Sequence, residues 1–171
     1  PKAVTEDLQL TAIPSGTFRM GGGQYVFPPQ HEFDYVPSTP EQDVTVSAFR
    51  MGKYEVTFQQ WQAVREWAVK NGYSDLAAGG MGQASSDDPR HPVVDVNWFD
   101  VVKWCNAASE KAGLKPCYSV DGGTLKTGQP KNVACDWQVD GYRLATEAEC
   151  EYAACGGQDR SRFYWGEEWL H

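Results

Sequence analysis

Apolar and polar positions change their spacing several times along this chain, and each change predicts an element. Residues 12–20 read Ala-Ile-Pro-Ser-Gly-Thr-Phe-Arg-Met; their alternating end predicts a strand, which Gly21-Gly22-Gly23 breaks. Residues 24–43 are rich in proline and show no helical period, so they read as a long irregular excursion. Val44 to Phe49 alternates cleanly and predicts a half-buried strand with Val44, Val46 and Ala48 on one face. Helical spacing then takes over. Thr57 is placed to cap a helix carrying Phe58, Trp61, Val64, Arg65 and Ala68, with Asn71-Gly72 as the stop.

Residues 72–92 are rich in Gly, Ser and Asp, and read as a second long loop ending in Arg90-His91-Pro92. A short extended run follows, from Pro92 to Val96. Asn97 caps a second helix, with Asp100 in its first turn and Val101, Trp104, Cys105, Ala108 and Ala112 as the apolar stripe; Gly113 ends it. Asp121-Gly122 predicts a hairpin between Tyr118–Val120 and Thr124-Leu125, and Val133 to Trp137 predicts one more strand. A third helix starts at Thr146, where Thr146 and Glu149 have the spacing of a capping box, and Gly156-Gly157 closes it. Three modest helices and several short strands, divided by long loops, make an α+β or irregular fold.

Composition narrows the function classes. Of 171 residues, 41% are hydrophobic and 13% aromatic, which suits one domain with a real core rather than a disordered chain. The formal charge of −8 lacks the basic footprint that phosphate binding needs, so no nucleic-acid partner is expected. No apolar run approaches the roughly 20 residues of a membrane span, and no signal peptide stands at the polar start of the chain. The five cysteines, at 105, 117, 135, 150 and 155, include no C-x-x-C, and with three histidines they fit no zinc spacing. Five helical residues turn the chain by about 500°, so Cys150 and Cys155 face different directions and are poorly placed to clamp one soft metal. One of that pair is expected to be buried and the other near the surface.

Several blocks in order resemble the sulfatase-modifying-factor family, which includes the formylglycine-generating enzymes. They are Ile13 to Gly21, Lys53 to Thr57, His91 to Trp98, Tyr142 to Glu149, Gly156-Gly157 and Tyr164-Trp165-Gly166. The resemblance spans nearly the whole chain. It implies a single loop-rich α+β domain over residues 1–171, related to the C-type lectin-like fold and lacking its C-terminal part. Ala145, Cys150 and Cys155 depart from the proline, tryptophan and arginine usual in the family. The family's reactive, copper-binding cysteine pair has no match among these five, so no catalytic residue is assigned.

The resemblance leaves two functions. One is a non-catalytic scaffold for ligand binding or display, like the variable proteins of diversity-generating retroelements. The other is the structural half of an oxidase that converts a sulfatase cysteine to formylglycine. Copper belongs only to the second, and calcium is a candidate for the complete domain. The partner is a protein or small-molecule ligand, together with the C-terminal half of the same domain. Glu55 and Trp98 are the ligand-groove candidates, with capping or pairing as the competing role for Glu55 and core packing for Trp98. Cys117 and Cys135 flank the hairpin and form a candidate disulfide if the chain is exported. The acids Glu41, Asp75, Asp87 and Asp88 read as solvated loop residues rather than calcium ligands. The aromatic tail, Phe163 to Trp169, is expected to pack against the remaining half of the domain. An acidic surface and odd cysteine number point to an exported or cell-surface protein, with a cytoplasmic one as the alternative.

Overall fold

Capping chemistry fixes where each helix begins. In the computed structural model, which describes residues 8–21, 40–82 and 88–157, α1 spans Phe58–Lys70, α2 Trp98–Ala112 and α3 Glu147–Ala154. All three open on a reciprocal capping box. Thr57 Oγ1 accepts from the Gln60 amide and Gln60 Oε1 from the Thr57 amide; Asn97 with Asp100, and Thr146 with Glu149, repeat the arrangement. Gly113 ends α2 at φ +76, a left-handed position that favours glycine.

The strands are short: β1 Leu10–Ile13, β2 Gly16–Met20, β3 Gln42–Val46, β4 Phe49–Gly52, β5 Gly80–Met81, β6 Val93–Val94, β7 Tyr118–Val120, β8 Gly123–Thr124 and β9 Ala134–Cys135. β1 pairs with β4, β2 with β3 and β5 with β6, while β7 lies between β8 and β9. Two units are distinguished. One comprises the described residues of 1–11 and 52–144, the other those of 12–51 and 145–171.

In the second unit β2 and β3 are antiparallel, with Gly16 opposite Val46 and Met20 opposite Gln42. Alternation buries Phe18 and Met20 while Thr17 and Arg19 face water. Tyr152 of α3 closes over that inner face, its ring 5.3 Å from Phe18. A side chain at Gly16 would collide with the Tyr152 hydroxyl, so the strand approaches the helix only because this position is glycine.

In the first unit α1 packs on α2. Trp61 and Trp104 stack with centroids 5.6 Å apart, and Trp104 Nε1 donates to the Trp61 carbonyl. Every residue of α2 from Val102 to Ser109 is buried. A helix enclosed this way must satisfy its polar side chains internally. Lys103 Nζ reaches Asp75 at 3.0 Å and Asp100 at 3.7 Å. Asn106 donates to the carbonyls of Tyr118 and Leu125 and accepts from the Tyr118 amide. Ser109 Oγ donates to the Cys105 carbonyl and accepts from the Tyr142 amide.

Three expectations change. The strand expected over 44–49 is two: β3 stops at Val46, Ala48 is exposed, and Phe49 starts β4, which has a different partner. The expected loop over 72–92 contains β5, whose Gly80 pairs with Val94 of β6. The apolar stripe of α2 is a full cylinder, because helix, hairpin and loop pack around it. The tail from Phe163 to Trp169 lies outside the described residues.

Candidate functional site

Backbone hydrogen bonds build a cavity of about 530 Å³ at the start of α1. The Lys53 amide donates to the Gln9 carbonyl, bringing residues 8 and 9 alongside the end of β4. The amides of Phe58 and Gln59 donate to the carbonyls of His91 and Pro89, and that of Val93 to Val56. Leu8, Ala63 and Pro92 supply apolar wall; Tyr54, Glu55, Gln59 and Arg90 supply polar groups. Tyr54 is 61% exposed.

The charges at this cavity differ in their state. Arg90 is already committed: its Nε and Nη2 bind both oxygens of Asp88 at 2.6–3.0 Å. Those hydrogen bonds hold the Asp88 carboxyl down at about 2. Glu55 is exposed and makes no hydrogen bond or ion pair among the described residues. Cavity, carboxylate and aromatic ring together can take up a polar organic group of moderate size.

Trp98 is not among the lining residues. It occupies the first position of α2, 48% exposed, edge-on to Phe99 at 5.1 Å and to Tyr118 at 6.3 Å. It therefore neither fills core nor joins Glu55 in one cavity. The Tyr118 hydroxyl accepts from the Leu144 amide, and the guanidinium of the neighbouring Arg143 lies 4.9 Å over the ring of Trp137. Trp137 is 57% exposed. Trp98 and Trp137 are thus exposed aromatic residues, Trp98 edge-on to the buried Tyr118 and Trp137 under the Arg143 guanidinium.

Tyr54, Gln59, Arg90 and Trp137 were not read as site residues from the sequence, although Tyr54 lies within the block Lys53 to Thr57.

Among the described residues no two cysteines are joined in a disulfide. Burial, with Cys117 and Cys135 nearby, pushes Cys105 up to about 12. Burial and Cys135 push Cys117 up to about 11 against the pull of Arg143, and burial also raises Cys135. Thiols held protonated are poor nucleophiles and metal ligands. Cys117, buried, and Cys135, half-buried, both meet the core of the first unit, and Tyr118 stands opposite Cys135 in the β7–β9 pairing. Cys150 is exposed and Cys155 half-buried, so neither member of that pair is fully enclosed.

The loop acids have cations of their own: Glu41 pairs with Arg19, Asp88 with Arg90 and Asp75 with Lys103. Burial pushes Asp75 up, yet the Gly128 amide and the Lys103 ammonium bring it below the usual carboxylate range. Asp87 lies outside the described residues. Among the described residues no group of three or more His, Cys, Asp or Glu is placed to hold a metal ion. None of the described helices is long and apolar enough to cross a membrane.

Comparison with known proteins agrees with this architecture. The chaperone protein LppX of Paenibacillus barcinonensis is 38% identical over 94% of this chain and 49% of its own length. The formylglycine-generating enzyme of Thermomonospora curvata is 27% identical, covering 93% of this chain and 52% of its own. The chain thus spans about half the length of these curated relatives. Among solved structures, CarF superposes with a TM-score of 0.61 at 33% identity, over 85% of this chain and 57% of CarF. Treponema denticola variable protein 1 gives the same TM-score at 27% identity, over 89% and 54%. The fold is accordingly the mixed, loop-rich FGE-type fold. The sulfatase-modifying factor enzyme 1-like domain matches residues 1–170, and the chain belongs to that family.

Proposed function

We propose that this FGE-type scaffold is a non-catalytic binding module, presenting a surface to a protein or small-molecule ligand. The observation that carries the reading is the unpartnered Glu55 carboxylate on the wall of a cavity of about 530 Å³. The buried Cys105 and Cys117 thiols and the half-buried Cys135, each shifted towards the protonated form, are in keeping with a binding role. Relatives named as a chaperone and as a variable protein support a binding role, and export to the cell surface is the compartment proposed with it. A second reading is favoured by one specific finding, the similarity to formylglycine-generating enzymes: the chain would then be the structural half of such an oxidase. The complete protein, incubated with a cysteine-containing sulfatase peptide, copper and oxygen, separates the two. Unchanged peptide is expected; a product mass matching the aldehyde would overturn the binding-module reading.

A further inference from the structure

The polar groups around the cavity at the start of α1 are not equivalent, and the difference selects a ligand. A helix start ordinarily attracts anions, because its first amides are free. Here they are occupied. The amides of Phe58 and Gln59 donate to the carbonyls of His91 and Pro89 at 2.9 Å each, and that of Gln60 to Thr57 Oγ1 at 3.2 Å. Arg90, the cation on the wall, is bound in fork fashion by Asp88. Among the described residues, an anion at this helix start meets amides already engaged and a guanidinium already bound by a carboxylate.

A cation meets the opposite. Glu55 has no partner among the described residues, and the Gln59 side chain makes no hydrogen bond among them either. The Tyr54 ring already receives one cation, the ammonium of Lys53 at 5.4 Å from its centroid. Leu8, Ala63 and Pro92 provide apolar wall on which an aliphatic stem can lie. The volume exceeds what a lone ammonium fills and suits a longer organic group.

We infer that this cavity recognises an organic cation, an ammonium or guanidinium group on an aliphatic stem, with Glu55 as its counter-charge. The inference rests on the binding-module reading and names the ligand chemistry for it. Lysine or arginine side chains of a peptide, and free alkylamines, share that chemistry.

Calorimetric titration of the full chain tests it with end-capped Gly-Lys-Gly, its norleucine and glutamate counterparts, and n-butylammonium. The lysine peptide is expected to bind, the norleucine peptide about tenfold or more weakly, because a hydrogen bond to a charged group is lost. Glu55→Gln is expected to erase that difference while leaving the melting temperature unchanged. Lys53→Met, which removes a competing ammonium from Tyr54, is expected to tighten binding. A peptide source is indicated if Gly-Lys-Gly binds more tightly than butylammonium, and a small amine if the order reverses. No binding, equal binding of lysine and norleucine peptides, preference for the glutamate peptide, or indifference to Glu55→Gln would each overturn the inference. The parent reading fails on a different result, aldehyde formation on the sulfatase peptide, so the two failures are distinguishable.

Discussion

Asn106→Leu is expected to unlatch the hairpin from the buried helix, at a cost that follows from the hydrogen bonds lost. Asn106 is fully buried. Its Nδ2 donates to the carbonyls of Tyr118 at 2.7 Å and Leu125 at 3.0 Å, and its Oδ1 accepts from the Tyr118 amide at 2.9 Å. Leucine has the same branched shape and is somewhat larger, so no cavity opens. The Tyr118 carbonyl retains a donor in the Leu125 amide. The Tyr118 amide and the Leu125 carbonyl lose the partner that Asn106 supplies. At about 1–3 kcal/mol for each buried group left unpaired, the loss is about 2–6 kcal/mol, a large share of the ~5–15 kcal/mol that holds an ordinary domain. Urea unfolding of the full chain, followed by tryptophan fluorescence, measures it. Asn106→Asp sharpens the test. A buried carboxylate cannot donate to either carbonyl, whereas its protonated form regains one donor. Burial raises the folded pKa of that new acid above its unfolded value of about 3.9. Stability is then greatest below that value and lost as pH rises. A loss below about 1 kcal/mol for Asn106→Leu, or an Asn106→Asp variant no less stable at pH 7 than at pH 4, would refute the latch.

Four further outcomes follow from the same packing. Lys103→Met leaves the buried Asp100 carboxylate without its ammonium and is expected to cost about 3–5 kcal/mol in urea unfolding at neutral pH, as for other broken buried pairs. Gly141→Ala is expected to lower the melting temperature sharply, since its new Cβ would strike the Lys115 carbonyl and crowd Cys117 Sγ at 3.1 Å. The Cys105 thiol titrates higher folded than unfolded, so its contribution is complete below about pH 9 and falls by about 1.4 kcal/mol per pH unit as pH rises towards 12; thermal melts should show a shallower alkaline decline for Cys105→Ala. Trp98→Ala should destabilise far less than Trp104→Ala, which removes a stacked, buried ring at about 3–5 kcal/mol, and parallel denaturant titrations compare them.

Helix starts were legible because capping is local. Thr57, Asn97 and Thr146 were each readable as caps, Thr146 with its box partner Glu149, and the structure forms a box at all three. The burial of α2 was not legible. Its Lys103, Asn106 and Ser109 lie off the apolar stripe that the spacing shows, and only partners far along the chain, at Asp75, Tyr118 and Tyr142, make them interior residues. Two-residue strands such as β5 and β6 are too short to carry a period, so a pairing inside a glycine-rich segment passes for loop. Glu55 could be read as a candidate from its place in a family-like block. Arg90 could not be read as spent, because its state depends on how Asp88 turns back towards it.

Polar residues in the first unit fall into two groups. Lys103, Asn106 and Ser109 are buried and paired, and altering one strands another buried group, so they hold the fold together. Glu55, Gln59, Trp98 and Trp137 lie at the surface, and the first two make no side-chain hydrogen bond among the described residues. Exposed substitutions of that kind alter stability little, typically within about 0.5 kcal/mol. Binding chemistry can therefore change at the second group without disturbing the first. That separation gives a physical reason why one architecture serves proteins named as chaperone, variable protein and formylglycine-generating enzyme. It also says where to look for this chain's own specificity: at side chains the fold does not need.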